Sequence, residues 1–206
     1  GLIGTYLPMK KVERGIRLAV DELSNSREAS LDAARAIMTT DTVPKEIALK
    51  VELQDGRVAT IAGMAKGSGM VNPVMKTATM LAFLVTDVAI TPRALRRALS
   101  TALENSFNML NIDNETSTSD MVLILANGKA GNHKITISHP DKNFQKALEC
   151  AMTHLTWMLA QDGEGASKLV EIHVDNAKNI SEARRVAKTV VGSNLLKAAI
   201  FGRDPN

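Results

Sequence analysis

One cysteine, one tryptophan, one tyrosine and four phenylalanines stand among 206 residues, and each scarcity removes a class of answer. Cys150 has no second cysteine to pair with, so an internal disulfide and a cysteine-ligated metal cluster are both excluded. Its apolar, helically spaced neighbours predict a buried and inert thiol. So few aromatic rings leave little for stacking bases. The 25 basic against 22 acidic residues give a surplus of only +3, so no nucleic-acid partner is expected. No stretch approaches the ~18–20 apolar residues of a membrane span; the longest run, 80–85, has strand length. No membrane partner is expected, and no signal or transit peptide is visible. His133, His139, His154 and His173 show no i, i+4 pair of the zinc type, so no metal is expected, and nothing in the chain points to a Ser-His-Asp triad. The chain opens at Gly1 without a methionine and stops on Arg203-Asp204-Pro205-Asn206. It reads as an internal piece of something longer.

What is present is an ordinary globular balance, 45% hydrophobic and 23% charged, with ten methionines and many alanines. Small and flexible side chains must fill the core, which favours close-packed helices against sheets. Met9, Val12, Ile16, Val20 and Leu23 fall at helical spacing after Pro8, and a second helix is predicted over 26–35. The period then drops to two: Ile47, Leu49, Val51 and Leu53 alternate with Ala48, Lys50, Glu52 and Gln54. Asp55-Gly56 supplies a turn and 58–61 returns as partner strand. Thr91 as N-cap and Pro92 at N1 start a helix with Leu95, Leu99, Leu103, Phe107 and Leu110 on its apolar face. Segments 121–126 and 133–138 read as a strand pair joined through Asn127-Gly128. Phe144, Leu148, Met152, Leu155 and Leu159 mark a long helix, 169–174 another strand, and Ser181 caps a helix to about Val191. Strands arriving in pairs between helices predict layered α+β architecture rather than a doubly wound parallel sheet.

Several polar or glycine-rich stretches do not serve core patterning. In Gly63-Met64-Ala65-Lys66-Gly67-Ser68-Gly69 the lysine precedes the second glycine, which excludes a P-loop. Asn72 occupies the place of the third glycine of a dinucleotide fingerprint. A flexible backbone beside one lysine remains, able to approach a small anion closely; a surface turn with a solvated lysine is the plainer alternative. Thr79, in Ala78-Thr79-Met80-Leu81, becomes a strong nucleophile only if its own α-amine is freed to act as base, since such an amine titrates near ~7.7–8.0. That requires a cut after Ala78, by attack of the Thr79 hydroxyl on the Ala78 carbonyl and hydrolysis of the resulting ester. Taken alone, Ala-Thr is a common dipeptide, and a β-branched residue entering a strand is the plainer reading.

In order, Ala36-Ile37-Met38-Thr39-Thr40-Asp41-Thr42, Gly63-Met64-Ala65-Lys66-Gly67-Ser68-Gly69-Met70, Ala78-Thr79-Met80-Leu81, Asp113-Asn114-Glu115-Thr116-Ser117-Thr118-Ser119-Asp120, Asp162-Gly163-Glu164-Gly165 and Phe201-Gly202-Arg203-Asp204-Pro205-Asn206 resemble the ornithine acetyltransferases. These are the bifunctional glutamate N-acetyltransferases of arginine biosynthesis. The resemblance covers essentially the whole chain. It implies the α+β fold of that family, with 1–78 as the end of its α-chain and 79–206 as the start of its β-chain. It implies autocleavage between Ala78 and Thr79, then ping-pong transfer of acetyl from N-acetylornithine to glutamate through acetyl-Thr79. Gly1 would belong to the oxyanion hole, and Thr39, Lys66, Thr79 and Glu164 would contact substrate. Lys66 suits the α-carboxylate and Glu164 the ornithine ammonium. No cofactor is implied, with acetyl-CoA as an alternative donor. An α2β2 assembly of the self-cleaved precursor and a cytoplasmic location (mitochondrial in a eukaryote) are expected. Lys76-Thr77 lengthens the family's usual spacing before the nucleophile and makes Thr77 a rival, although Met80-Leu81-Ala82-Phe83 downstream selects Thr79. Two alternatives stay open: a self-cleaving N-terminal-threonine amidase or aminopeptidase deacylated by water, and a non-catalytic truncated relative.

Overall fold

The alternation of Ile47, Leu49 and Val51 becomes β1 (Lys45–Glu52) of a computed structural model that describes residues 4–73 and 80–204. Leu53, Asp55 and Gly56 close the turn: the Leu53 amide donates to the Arg57 carbonyl at 2.7 Å and the Gly56 amide to the Leu53 carbonyl at 2.9 Å. Gly56 takes a φ of +79°, which glycine adopts without a Cβ clash. β2 (Val58–Lys66) then runs past the predicted end at Ile61, through Gly63, to Lys66. At Gly63 a Cβ would lie 3.1 Å from Leu84 Cγ and from the Phe83 carbonyl oxygen, so glycine there lets the next strand approach closely.

β1 and β2 pair antiparallel, β2 and β3 (Leu81–Thr86) antiparallel, and β3 and β4 (Met121–Ala126) parallel, giving the sheet order β1-β2-β3-β4. The parallel step is bridged by α3 (Pro92–Glu104). Thr91 caps α3 by accepting the Ala94 amide on its hydroxyl, with Pro92 at the first position as the sequence predicts. The α3 residues that are buried are Ala94, Ala98 and Ala102; Leu95, Leu99 and Leu103 pack at the core's edge. The helix stops before Phe107, which is buried in a separate 3₁₀ turn (Phe107–Met109). α4 (Lys142–Gln161) lies over β1 and β2 and beside α3. It buries Phe144, Leu148, Ala151, Met152, Leu155 and Leu159 against Ala59, Ile61, Ala82 and Leu84 of the same core. Burying each large apolar side chain is worth roughly 1.5–3 kcal/mol, so this contact organises the domain.

Helices and a mixed sheet give the α+β class expected from the sequence, but several local readings are corrected. Segment 133–138 does not pair with β4. The Asn127 amide instead donates to the Thr86 carbonyl at 3.1 Å, and Asn132 bonds both the amide and the carbonyl of Ala89. These ties carry the chain to the far end of β3, where Ile135 makes one isolated parallel bridge with Ile90. Segment 169–174 forms no strand among the described residues; its alternation has no neighbouring ladder to join. Cys150 is exposed, because at ~100° per residue it is turned well away from Leu148 and off the buried face of α4.

The chain divides into two compact units, 1–33 and 34–206. In the first, α1 (Met9–Asp21) follows Pro8, whose carbonyl accepts the Lys11 and Val12 amides. Met9, Ile16 and Val20 are each more than half exposed, so the predicted apolar face exists without being covered within this unit. α2 (Arg27–Ala36) starts at Ser26, whose hydroxyl accepts the Ala29 amide at 3.1 Å, and runs into the second unit. There α5 (Ile180–Val191) is capped by Asn179 rather than by Ser181. The Asn179 side chain accepts the Glu182 amide, and Glu182 reaches back to the Lys178 amide, a reciprocal cap. α6 (Asn194–Gly202) completes the described chain.

Candidate active site

β2 ends on Lys66, whose register partner Leu81 opens β3, so the glycine-rich turn and the start of β3 meet at one end of the sheet. Thr39 comes to that end from the loop after α2. Lys66 is buried, and its ammonium donates to Thr39 Oγ1 at 3.2 Å. An ammonium carries three donors, and among the described residues no carboxylate lies within ion-pair distance of this one. Next to it the Thr40 and Ser68 hydroxyls are bonded at 2.7 Å. The Glu164 amide donates to the Ser68 carbonyl at 2.8 Å. This draws the Glu164 carboxylate over Gly69, where a Cβ would sit 2.5 Å from Glu164 Oε2. Only a residue without a side chain leaves that carboxylate its place. Thr39, Lys66 and Glu164 are thus brought together around the turn 67–69. Gly1, Lys76, Thr77, Ala78 and Thr79 lie outside the described residues.

A second cluster holds the turn from behind. The Lys45 ammonium is fully buried and donates to Asp41 Oδ1 at 2.7 Å, Asp162 Oδ2 at 2.6 Å and the Val43 carbonyl at 3.2 Å. Asp41 also accepts the Gly67 amide at 2.8 Å and the Thr39 amide at 3.1 Å. Asp162 accepts the Thr42 amide and hydroxyl. Burial opposes ionisation of Asp41, but the Gly67 amide, Lys45 and the Thr39 amide outweigh it and hold the carboxyl below its usual range. At Asp162 burial is likewise outweighed, by Lys45 and Thr42. These charges are satisfied and closed to any ligand. Their work is to fix the backbone of Thr39 and Gly67, the residues on either side of the Lys66–Thr39 bond.

The acidic stretch from Asp113 splits into two tasks. Asp113 accepts the Met70 amide at 2.5 Å and the Val71 amide at 3.0 Å, pinning the chain after the glycine turn. Asp120 accepts the Met80 amide on Oδ1, while its buried Oδ2 has no partner among the described residues. Burial pushes the Asp120 carboxyl up to about 7, against the opposing pulls of the Met80 amide and of Lys66.

Sequence reading singled out Thr39, Lys66 and Glu164 and gave no role to Lys45 or Asp120. Lys45 carried a signal: it lies in phase with Ile47, Leu49 and Val51, four residues after Asp41, and a lysine on the core face needs a carboxylate partner. Asp120 closes one of the motifs quoted from the sequence, but nothing there showed its contact, because its partner is a backbone amide brought beside it by the parallel pairing of β3 and β4. A cavity of about 540 Å³ opens between α4 and the helices α5 and α6, with Trp157, Ala187, Ile200 and Phe201 in its wall. Of the predicted site residues that the structure describes, only Glu164 reaches it. No group of His, Cys, Asp and Glu suited to a metal occurs among the described residues, and no helix there is long and apolar enough to cross a membrane.

Residues 1–206 match the model of the ArgJ family. The arginine biosynthesis bifunctional protein ArgJ of Symbiobacterium thermophilum is 51% identical over 207 aligned positions, covering 100% of this chain and 50% of the relative. Those of Bacillus subtilis and Geobacillus stearothermophilus are 47% and 44% identical, each covering 100% of this chain and 49% of the relative. The chain therefore spans about half the length of the curated relatives it matches. The crystal structure of the ArgJ protein of Bacillus halodurans superimposes with a TM-score of 0.59 at 48% identity, over 62% of this chain and 61% of that one. On the match to its full length and on this identity, the chain belongs to the ArgJ family.

Proposed function

We propose that this chain carries part of the catalytic core of an acetyltransferase of arginine biosynthesis, one that cuts itself between Ala78 and Thr79 and then moves acetyl from N-acetylornithine to glutamate on the Thr79 hydroxyl. The observation that carries the reading is the buried Lys66 ammonium, joined to Thr39 and flanked by the Glu164 carboxylate around one glycine turn. A cation beside the start of the turn 67–69 and an anion over its end suit N-acetylornithine, whose α-carboxylate would seek Lys66 and whose side-chain ammonium would seek Glu164. The freed α-amine of Thr79 takes the hydroxyl proton as the oxygen attacks the acetyl carbonyl, and ornithine leaves. Glutamate then enters with its α-carboxylate on Lys66, and its neutral α-amine attacks the acetyl carbonyl of acetyl-Thr79, giving N-acetylglutamate and returning a proton to the Thr79 oxygen. The tetrahedral oxyanions need backbone donors, a role that falls to Gly1. Residues 1–78 then end one product chain and 79–206 begin the other, in an α2β2 assembly in the cytoplasm. The reaction needs no metal or bound cofactor; acetyl-CoA would serve as a second acetyl donor.

The test is N-acetylornithine turnover by the purified full-length protein with and without glutamate, alongside the intact mass. Ornithine release that depends on glutamate, and two products divided at Ala78–Thr79 that disappear in Thr79→Ala, are expected. Release at the full rate without glutamate would replace the transferase with a hydrolase.

A further inference from the structure

The buried Lys45 ammonium holds both arms of the candidate site. It lies between two carboxylates, Asp41 Oδ1 at 2.7 Å and Asp162 Oδ2 at 2.6 Å, and each leads to a different arm. Asp41 accepts the Thr39 and Gly67 amides, and those residues flank the bond from Lys66 to Thr39. Asp162 leads the other way. It caps the end of α4, with its amide donating to the Met158 carbonyl at 3.2 Å, and it stands two residues before Glu164. The turn that follows has little freedom of its own. The Ala166 amide donates to the Gly163 carbonyl at 2.9 Å, and a Cβ on Gly163 would lie 3.0 Å from Ile112 Cγ2. Thr42 registers this turn against the loop that carries Thr39: its amide donates to Asp162 Oδ2 at 2.9 Å and its hydroxyl to Oδ1. Thr42 is itself exposed, so its hydroxyl lies outside the core.

We propose that Thr42 and Asp162 are positioning residues that set where Glu164 stands relative to Lys66, and through it the side-chain length of the Nα-acetyl diamino acid that the site accepts. The inference rests on the reading of Lys66 and Glu164 as the groups that bind the donor's α-carboxylate and side-chain ammonium. The Glu164 carboxylate lies over Gly69, so its reach is counted from the backbone position that Asp162 fixes. A donor gripped by charge at both ends cannot slide to relieve a misfit. With one methylene too many, either an end charge loses its partner or the acetyl carbonyl leaves its place. A single methylene of misfit is worth roughly 10–200-fold in kcat/KM in a shaped pocket. Glutamate escapes this constraint, because its side chain ends in a carboxylate that gains nothing from Glu164. The clamp therefore selects the donor and leaves the acceptor alone.

The experiment compares the purified full-length protein with its Thr42→Val variant, which keeps the shape of the side chain and removes only the hydroxyl bond to Asp162. The donors are N-acetylornithine and Nα-acetyllysine, one methylene longer, with glutamate as acceptor. Wild type should favour N-acetylornithine by about tenfold or more in kcat/KM. Thr42→Val should reduce that preference by about threefold or more and raise KM for N-acetylornithine several-fold. Its kcat and its KM for glutamate should stay within about twofold of wild type. Thr42→Ser, which restores the hydroxyl, should restore the preference. A purely structural role would instead weaken donor and acceptor steps together and lower the unfolding midpoint. Equal use of the two donors by wild type, an unchanged preference in Thr42→Val, or a KM for glutamate that rises with that for the donor overturns the proposal and leaves the acetyltransferase reading standing. If wild type releases no ornithine from N-acetylornithine, that reading falls and this proposal falls with it. Should Thr42→Val fold poorly, Thr42→Ala decides by the same measurements.

Discussion

Lys45 and Lys66 are both buried and nearly adjacent in the sheet, since Lys45 pairs with Ala65, yet they point to opposite faces and lead opposite lives. Lys45 lies in phase with the core-facing residues of β1, and two carboxylates and a carbonyl close around it. Lys66 lies on the other face, bonded among the described residues to a single hydroxyl. The same chemical group is structural where its valences are filled and available for a ligand where they are not. The carboxylates divide in the same way. Asp41 and Asp162, partnered by Lys45, are held below the usual range, whereas Asp120, in contact with one backbone amide, is lifted to about 7.

The largest effect should come from emptying the filled cluster. Lys45→Ala leaves Asp41 and Asp162 without their cation, and breaking a buried pair from one side costs about 3–5 kcal/mol. Urea unfolding should show that loss, while Lys45→Met, which keeps the volume, should lose less. Lys66→Met should do the reverse. The charge-assisted bond to a substrate carboxylate is worth about 1.5–3 kcal/mol, so KM should rise roughly tenfold to a hundredfold with the unfolding midpoint nearly unmoved. Equal destabilisation by the two substitutions would erase the distinction between the lysines.

The pH dependence of stability sharpens the contrast further. Asp41 and Asp162 have depressed folded values, so their contribution is complete above the unfolded value of ~3.9 and is lost as pH falls below it through the folded values. Asp120 is raised to about 7, so its contribution is complete below ~3.9 and is lost as pH rises through 7. Urea midpoints should therefore fall at both ends of the range. Lys45→Met should weaken the acid limb and Asp120→Asn flatten the neutral one.

Much of this was legible in the sequence where information is local. Thr91-Pro92, the alternation of Ile47 to Val51 and the apolar spacing of α4 each fix their own geometry, and they appear as read. The pairing of β4 was not legible. Its strand was found, but its partner was set by Asn127 and Asn132 fastening the chain to the end of β3, a matter of tertiary hydrogen bonds. Cys150 failed because an apolar neighbourhood along the chain says nothing about which side of the helix a residue faces. The site divides likewise: Thr39, Lys66 and Glu164 stand in recognisable motifs, whereas the contact that Asp120 makes exists only once two distant strands lie parallel.

The smallest predicted effect tests whether Glu164 belongs with Lys66. Gly69→Ala places a methyl 2.5 Å from Glu164 Oε2, but the obstructed group is the far end of a flexible, exposed side chain. The carboxylate can swing aside at little energetic expense, so stability should change by less than about 1 kcal/mol. A displaced anion should still weaken the grip on a substrate ammonium. KM for N-acetylornithine should rise several-fold and kcat should change little, because the change lies in binding rather than at the acyl carbon. The same substitution made in Glu164→Gln should add nothing further, since both act on one group, and a double-mutant cycle reads that coupling directly. Additive losses would mean that Gly69 is required for the turn itself and that the carboxylate above it has no share in the site.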